Sequence, residues 1–155
     1  MSVSFRRAVI DDTGVLARLR WDGGDVEQTR GGQISWEFAA GFGEFVRAAV
    51  EGEEWVMWVA ERDGRVIGHA YVAVVGMVPR PGRLVRKWGY VSGLYVEPEE
   101  RGEGVGSGLV GRAVEWAKEE GLESLLLSAE EGSLALFERA GFVSRPNLLE
   151  LELRS

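Results

Sequence analysis

The sequence predicts an α/β (α+β) domain with a mixed, mostly antiparallel central sheet and flanking helices. Three stretches carry that prediction. "EWVMWVAERDGRVIGHAYVAVVG" is two runs rich in β-branched and aromatic residues, joined at Asp63-Gly64, a dipeptide that accepts the positive φ of a tight hairpin turn. "VGSGLVGRAVEWAKEEG" places Val105, Leu109, Val110, Ala113, Val114 and Ala117 on one broad helical face and stops at Gly121. "LESLLLSA" is a short, almost continuously apolar run, as a strand parallel to its neighbour and buried on both faces would be.

Taken in chain order, "VSFRRAV" has strand character, and Asp11, Asp12 or Thr13 can cap a following helix whose apolar stripe is Val15, Leu16 and Leu19. Residues 22–32 are glycine-rich and polar and read as a loop or broken helix. From Gln33 to Val50, Ile34, Phe38, Phe42, Phe45, Val46 and Ala49 recur at helical spacing, with Gly41 and Gly43 weakening the middle. After the hairpin, 76–83 reads as a loop and "LVRKWGYVSGLYV" as a third antiparallel strand. "EGSLALFERAG" is a short helix ending at Gly141, and "LLELEL" alternates as a last strand. The expected order is βααβββαβαβ in a single domain, residues 1–155.

Composition narrows the function. A net charge of -7 and a pI near 4.9 oppose a nucleic-acid partner, because phosphate neutralisation needs a basic face. There is no cysteine and a single histidine, His69, so no zinc site or disulfide framework is expected, and metal chemistry is disfavoured. No apolar run is long enough for a membrane span or a signal segment, so a soluble cytoplasmic protein is expected.

The residues that carry chemistry surround "LYVEPEERGEGVGSGLV", with Gly102, Gly104, Gly106 and Gly108 at alternate positions before the helix. A dinucleotide fingerprint would need glycine or alanine at 107 or 109, where Ser107 and Leu109 stand. A P-loop would need a lysine at the helix start, and none lies between Lys87 and Lys118. What remains is a diphosphate seated on unpaired N–H groups at a helix N-terminus, or a flexible turn that binds nothing.

Arg101-Gly102-Glu103-Gly104-Val105-Gly106 follows the pattern Arg/Gln-x-x-Gly-x-Gly/Ala, and "LFERAGF" follows downstream. On these two motifs and the element order, the chain resembles the GNAT superfamily of N-acetyltransferases over nearly its whole length. The resemblance implies the GNAT-like acyl-CoA N-acyltransferase fold, with acetyl-CoA as co-substrate and no metal. It implies that Leu94, Tyr95 and Val96 offer their strand to the pantetheine arm, and that Arg101, Gly102, Glu103, Gly104, Val105, Gly106 and Ser107 hold the pyrophosphate. Phe137 then lies near the thioester sulfur.

The proton-transfer residues of that pattern are absent. Where many relatives carry a carboxylate on the strand, this chain has Ser92 and Gly93; where many carry a tyrosine, it has Phe137; a frequent asparagine falls on Glu130. Tyr90 or Ser92 would pass a proton through water, unless both are ordinary strand residues, and positioning alone can supply about 7–11 kcal/mol of a barrier. His69, in mid-strand, reads as structural or surface. On the acceptor side the resemblance brings in Trp21, Asp22, Asp25, Glu27 and Trp36, against which stand the plainer readings of a solvated acidic face and a core tryptophan. Arg80, Arg83, Arg86 and Lys87 form a basic cluster that either binds an anion or is a solvated hairpin.

The expected activity is transfer of an acetyl group from acetyl-CoA to a primary amine, of a small molecule before a peptide, by a monomer or a homodimer. The alternative is a CoA-binding sensor or interaction module of the same fold with little turnover. A plain nucleotide-binding domain is disfavoured by the failed fingerprints.

Overall fold

The structure is a computed structural model that describes residues 2–24 and 31–154. Its elements are β1 (Ser4–Arg7), α1 (Thr13–Asp22), α2 (Trp36–Glu51), β2 (Trp55–Arg62), β3 (Arg65–Met77), β4 (Arg86–Val96), α3 (Val105–Glu119), β5 (Ser124–Leu126) and α4 (Leu134–Arg139). The strands form one sheet in the order β1-β2-β3-β4-β5, antiparallel from β1 to β4 and parallel between β4 and β5.

The hairpin turn falls at Asp63 and Gly64, with φ of 53° and 77°, the left-handed pair that a two-residue connection between twisted strands requires. α2 starts at Trp36, not Gln33, because Ser35 caps it by accepting from the Phe38 N–H at 3.2 Å. Asp12 precedes α1 but does not cap it with its side chain. Its carboxylate accepts instead from the Val9 N–H and from both terminal nitrogens of Arg6, tying the start of α1 to β1.

Alternation sends side chains to two faces of the sheet. α3 covers one: Ala60, Ile67, Ala70, Val96, Val105 and Leu109 form a cluster there, continued by Val56, Val72, Val91 and Ala113. On the other, Leu16, Leu19, Val46 and Ala49 from α1 and α2 pack on Met57, Val59 and Tyr71. Among the described residues no helix is long and apolar enough to cross a membrane.

Four expectations need correction. β3 continues to Met77 and β4 begins at Arg86, so the connection is 78–85 rather than 76–83. β5 has three residues and is half-buried, because its far edge has no strand beside it among the described residues. That edge is where "LLELEL" would have paired, but 148–153 form no strand, and Leu149, Leu151 and Leu153 are 93%, 81% and 85% exposed. Alternation makes a segment suited to a sheet without supplying the neighbour that satisfies its backbone. Trp36, read as core, is 76% exposed at the first position of α2.

Candidate active site

β4 is eleven residues long, but β5 pairs with only its first part, Trp88, Gly89 and Tyr90. From Val91 to Val96 the β5 side of β4 has no strand partner among the described residues, leaving main-chain groups for another extended chain. The same stretch is bulged on its β3 side. Tyr71 pairs with Ser92 and His69 with Tyr95, so Gly93 and Leu94 together oppose Ala70. Gly93 has φ of 68°, and a Cβ there would lie 2.8 Å from the Tyr71 ring. Both facts disfavour a side chain at 93, a carboxylate included.

Beyond β4 the chain makes a short 3₁₀ turn at Pro98–Glu100 and enters α3 through Gly104. Gly102 and Gly104 have φ of 85° and 84°, and a Cβ on either would meet nothing within 4 Å. α3 has no side-chain cap, and its first hydrogen bond across this entry runs from the Gly108 N–H to the Gly104 carbonyl at 3.0 Å. The N–H groups of Val105, Gly106 and Ser107 therefore precede any helical acceptor and sit at the positive end of the helix dipole. With open space around Gly102 and Gly104, this geometry suits a diphosphate.

Gly106 and Gly108 are small for another reason. A Cβ at Gly106 would sit 3.0 Å from Leu136 Cδ1 of α4, and one at Gly108 would overlap the Phe5 ring of β1. The resemblance gave Gly102, Gly104 and Gly106 one purpose; the structure divides these and Gly108 between an open turn and helix packing.

Glu97, Glu100 and Glu103 would repel an anion at this turn, and the β2–β3 hairpin answers them. Arg62 bonds Glu100 at 2.9 Å and Glu103 at 2.8 Å, and Arg65 bonds Glu97 at 2.7 Å. Arg101 is held by its Nε donating to the Val96 carbonyl at 2.8 Å, with its guanidinium carbon 5.3 Å from the centre of the Tyr95 ring. The basic cluster resolves differently: Arg83 and Arg86 both pair with Glu123, so half of it is a structural clasp between the β3–β4 connection and the start of β5.

Phe137 is buried and meets Phe142 edge-on, with ring centres 5.7 Å apart. Together with Leu125, Leu127 and Leu134 it lines a cleft of about 980 Å³ between β5, α3, α4 and the segment after α4. No hydroxyl is available from this side chain.

On the other face, Tyr90 pairs with Ala73 and Ser92 with Tyr71, so both project toward α1 and α2, where Tyr90 is 41% exposed. Trp21 joins a row of rings, Trp21–Phe38–Phe42–Phe45–Trp55, with successive centres 5.1–5.9 Å apart. Asp22 accepts from Arg18 and from the Gly31 N–H, closing the end of α1. Exposed Trp36 lies outside that row, and Asp25 and Glu27 lie outside the described residues.

Sequence reasoning missed Tyr71 and left His69 as structural or surface. His69 is 1% exposed and stacks on Tyr71, ring centres 4.5 Å apart and 8° from parallel, with Tyr95 5.9 Å away on the same face. A surface role is thereby excluded. Burial pushes the imidazole down to about 3, with the Gly93 carbonyl opposing the shift and Arg20 reinforcing it. Burial likewise pushes the Tyr71 phenol above its ordinary range. The period of two in "HAY" was the available signal that these rings share a face. Among the described residues no group of three or more His, Cys, Asp or Glu is placed to hold a metal ion.

A sheet whose parallel strand leaves it partway, beside an uncapped helix entry, defines a domain suited to an elongated phosphate-bearing ligand. Residues 25–142 match the family model described as Acetyltransferase (GNAT) family, and the chain belongs to that family. A curated relative, glucosamine 6-phosphate N-acetyltransferase of Trypanosoma brucei brucei, is 30% identical over 90 residues, a match spanning 58% of this chain and 59% of the relative. Among solved structures, a predicted acetyltransferase with acetyl-CoA from Clostridium acetobutylicum superposes with a TM-score of 0.77 at 23% identity, covering 98% of this chain and 97% of that one. A GCN5-related N-acetyltransferase from Ralstonia eutropha JMP134 does so with a TM-score of 0.74 at 24% identity, covering 97% and 99%. At these identities the structural likeness establishes the fold.

Proposed function

We propose that the protein transfers an acetyl group from acetyl-CoA to a primary amine of a small molecule. The observation that carries the reading is the pairing of two features: β4 left free of β5 from Val91 onward, and, directly after it, the uncapped start of α3 behind Gly102 and Gly104. An extended arm is accommodated by the first and a diphosphate by the second. Acetyl-CoA supplies an activated thioester. The free edge of β4 orients that arm, and the N–H groups of Val105, Gly106 and Ser107 bind its phosphates.

In the transfer, an unprotonated amine nitrogen forms a bond to the acetyl carbon as the carbon–sulfur bond breaks. The surplus proton leaves the nitrogen, and the thiolate takes one from water. Tyr90 and Ser92 face the acceptor side and can relay the outgoing proton; Phe137 cannot donate the incoming one. Rate then depends chiefly on orientation.

The test is release of free thiol from acetyl-CoA across a panel of amines. Glucosamine 6-phosphate is included because a relative bears that name. Turnover with at least one amine is expected. Because Ser92 and Phe137 stand where proton-transfer groups would be needed, the competing reading is a CoA-binding module. Binding of acetyl-CoA without thiol release from any amine would favour that module.

A further inference from the structure

Two parts of this chain lack the same kind of neighbour. β5 has no strand on its outer edge among the described residues, and only Ser124–Leu126 of the apolar run 122–129 is strand. Residues 148–153 alternate like a strand but pair with nothing, and Leu149, Leu151 and Leu153 stand in solvent. Leucines at every second position serve a strand with one buried face, and in the single chain that face is bare. The chain itself carries the segment away from the edge. Arg145-Pro146-Asn147-Leu148 is a turn closed by the Leu148 N–H donating to the Arg145 carbonyl at 3.2 Å, with proline and asparagine at its two central positions, and Leu148 is the last residue to line the cleft beside β5.

We propose that two copies of the chain form a two-fold dimer in which residues 148–153 of each add as a strand to the free edge of β5 in the other. Edge and segment match in three respects. The outer edge of β5 offers main-chain donors and acceptors. Leu125 and Leu127 pack with Phe142 on the α3 face and line the cleft, so the period of two sends Leu149, Leu151 and Leu153 of an added strand toward that apolar wall and Glu150 and Glu152 to the opposite face. The start of β5 is also the basic end of an acidic chain: Arg83 and Arg86 bond Glu123, and Arg80 and Lys87 are exposed beside them, ready to meet Glu150 and Glu152. A second copy is the occupant that the chain's own parts specify. Every chain carries both the edge and the segment, so one two-fold exchange covers both in each copy and closes, whereas an unrelated partner covers one and leaves the other open. The added neighbour also lengthens β5 toward the strand that its apolar run encodes. The proposal goes beyond acetyl transfer and does not depend on it.

The experiment measures the mass of the full chain in solution by sedimentation over a concentration series, for the parent and for Leu151→Pro. Proline removes a ladder donor and cannot sit in a paired strand, while Leu151 is 81% exposed in the single chain, so the variant keeps its fold. The parent is expected at twice the chain mass of 17.1 kDa and the variant at 17.1 kDa. Amides of residues 149–153 should exchange about a hundredfold more slowly in the parent than in the variant. A parent that stays at 17.1 kDa, or a variant that dimerises as the parent does, overturns the proposal. Cross-linking then distinguishes exchange from pairing within one chain. The protein has no cysteine, so Ser124→Cys and Glu152→Cys report cleanly with a short bis-maleimide. When the two single variants are mixed and allowed to exchange subunits, a product holding one chain of each is expected; no such product, or a double variant that cross-links only within single chains, overturns the proposal, and this readout decides even if Leu151→Pro does not fold. None of these measurements involves acetyl-CoA, so failure of the acetyltransferase reading in the thiol-release test leaves the dimer standing, and failure of the dimer leaves that reading untouched.

Discussion

The two faces of the sheet are made of different material. Under α3 the contacts are aliphatic and small, Ala60, Ile67, Ala70, Val72, Val91, Val105, Leu109 and Ala113, and the helix comes so close that Gly108 has room for no side chain against Phe5. Under α1 and α2 the contacts are aromatic, Phe42, Phe45, Trp55, Tyr71 and Tyr95, with polar atoms left unpaired in their midst. The contrast has a functional sense. Under the proposed function the ligand groups on the α3 side are main-chain ones, the N–H groups of the helix entry and the free edge of β4, so side chains there need only pack. On the α1–α2 side the same proposal leaves recognition of the amine to side chains, at some expense of packing.

The largest effect should come from breaking the packed face. Gly108→Val forces a branched side chain into Phe5, and is expected to destabilise the fold by about 1–3 kcal/mol in urea unfolding, with acetyl-CoA binding lost only to the extent that folded protein is lost. Gly104→Val, four residues earlier, separates binding from folding. Open space means no clash, and the strain of a positive φ costs about 1–2 kcal/mol, so the variant stays folded. Its valine side chain stands where the phosphates would approach. The parent should gain about 2.7 kcal/mol at a hundredfold excess of acetyl-CoA over its dissociation constant, and this variant nothing. Equal thermal shifts in the two proteins would move the phosphate cradle elsewhere.

A smaller effect is expected in the cleft beside α4. Phe137→Tyr introduces a hydroxyl at the position where the family resemblance implies an acid. Because a thiol with pKa of about 8.5 is already a tolerable leaving group, kcat at pH 7 should rise by about tenfold or less. The gain should shrink as pH rises, and acetyl-CoA affinity should hold. Since Phe137 packs edge-on against Phe142, a variant slower at every pH would show that this contact outranks proton donation.

The smallest effect concerns the clasp at the start of α1. Hydrogen bonds from Arg6 hold the Asp12 carboxyl below the usual carboxylate range, burial opposing them. A carboxylate depressed in the folded state adds stability above its unfolded pKa of about 3.9, and that stability is lost as pH falls through the lower folded value. Asp12→Asn should therefore be less stable than the parent at neutral pH and show a shallower loss below about pH 4, read from urea midpoints across the acid range. An unchanged acid limb would show that the Arg6 pairing carries no net stability.

Local signals made much of this legible. The hairpin at Asp63-Gly64, the apolar stripe of α3 and the parallel strand after it lie within short windows, where period and turn chemistry speak directly. The open glycine turn before α3 was legible because Arg101 and the glycines are contiguous. What escaped was long-range. Nothing near Gly106 or Gly108 announces that Leu136 and Phe5 will press on them, and nothing near Gly93 announces Tyr71. "LLELEL" illustrates the opposite error, a strand pattern whose pairing partner the fold does not provide.

By itself the sequence determined the elements and their order as far as α4, the family motifs and the absence of a carboxylate or tyrosine at Ser92, Gly93 and Phe137, because these are properties of residue identity and near-neighbour spacing. Only the tertiary structure decided which glycines are open to a ligand and which are crowded, that His69 is buried on Tyr71 rather than exposed, and that β4 parts from β5 after Tyr90. Each of these depends on atoms that are distant in the chain and adjacent in space, and burial, register and close approach exist only once such pairs have met.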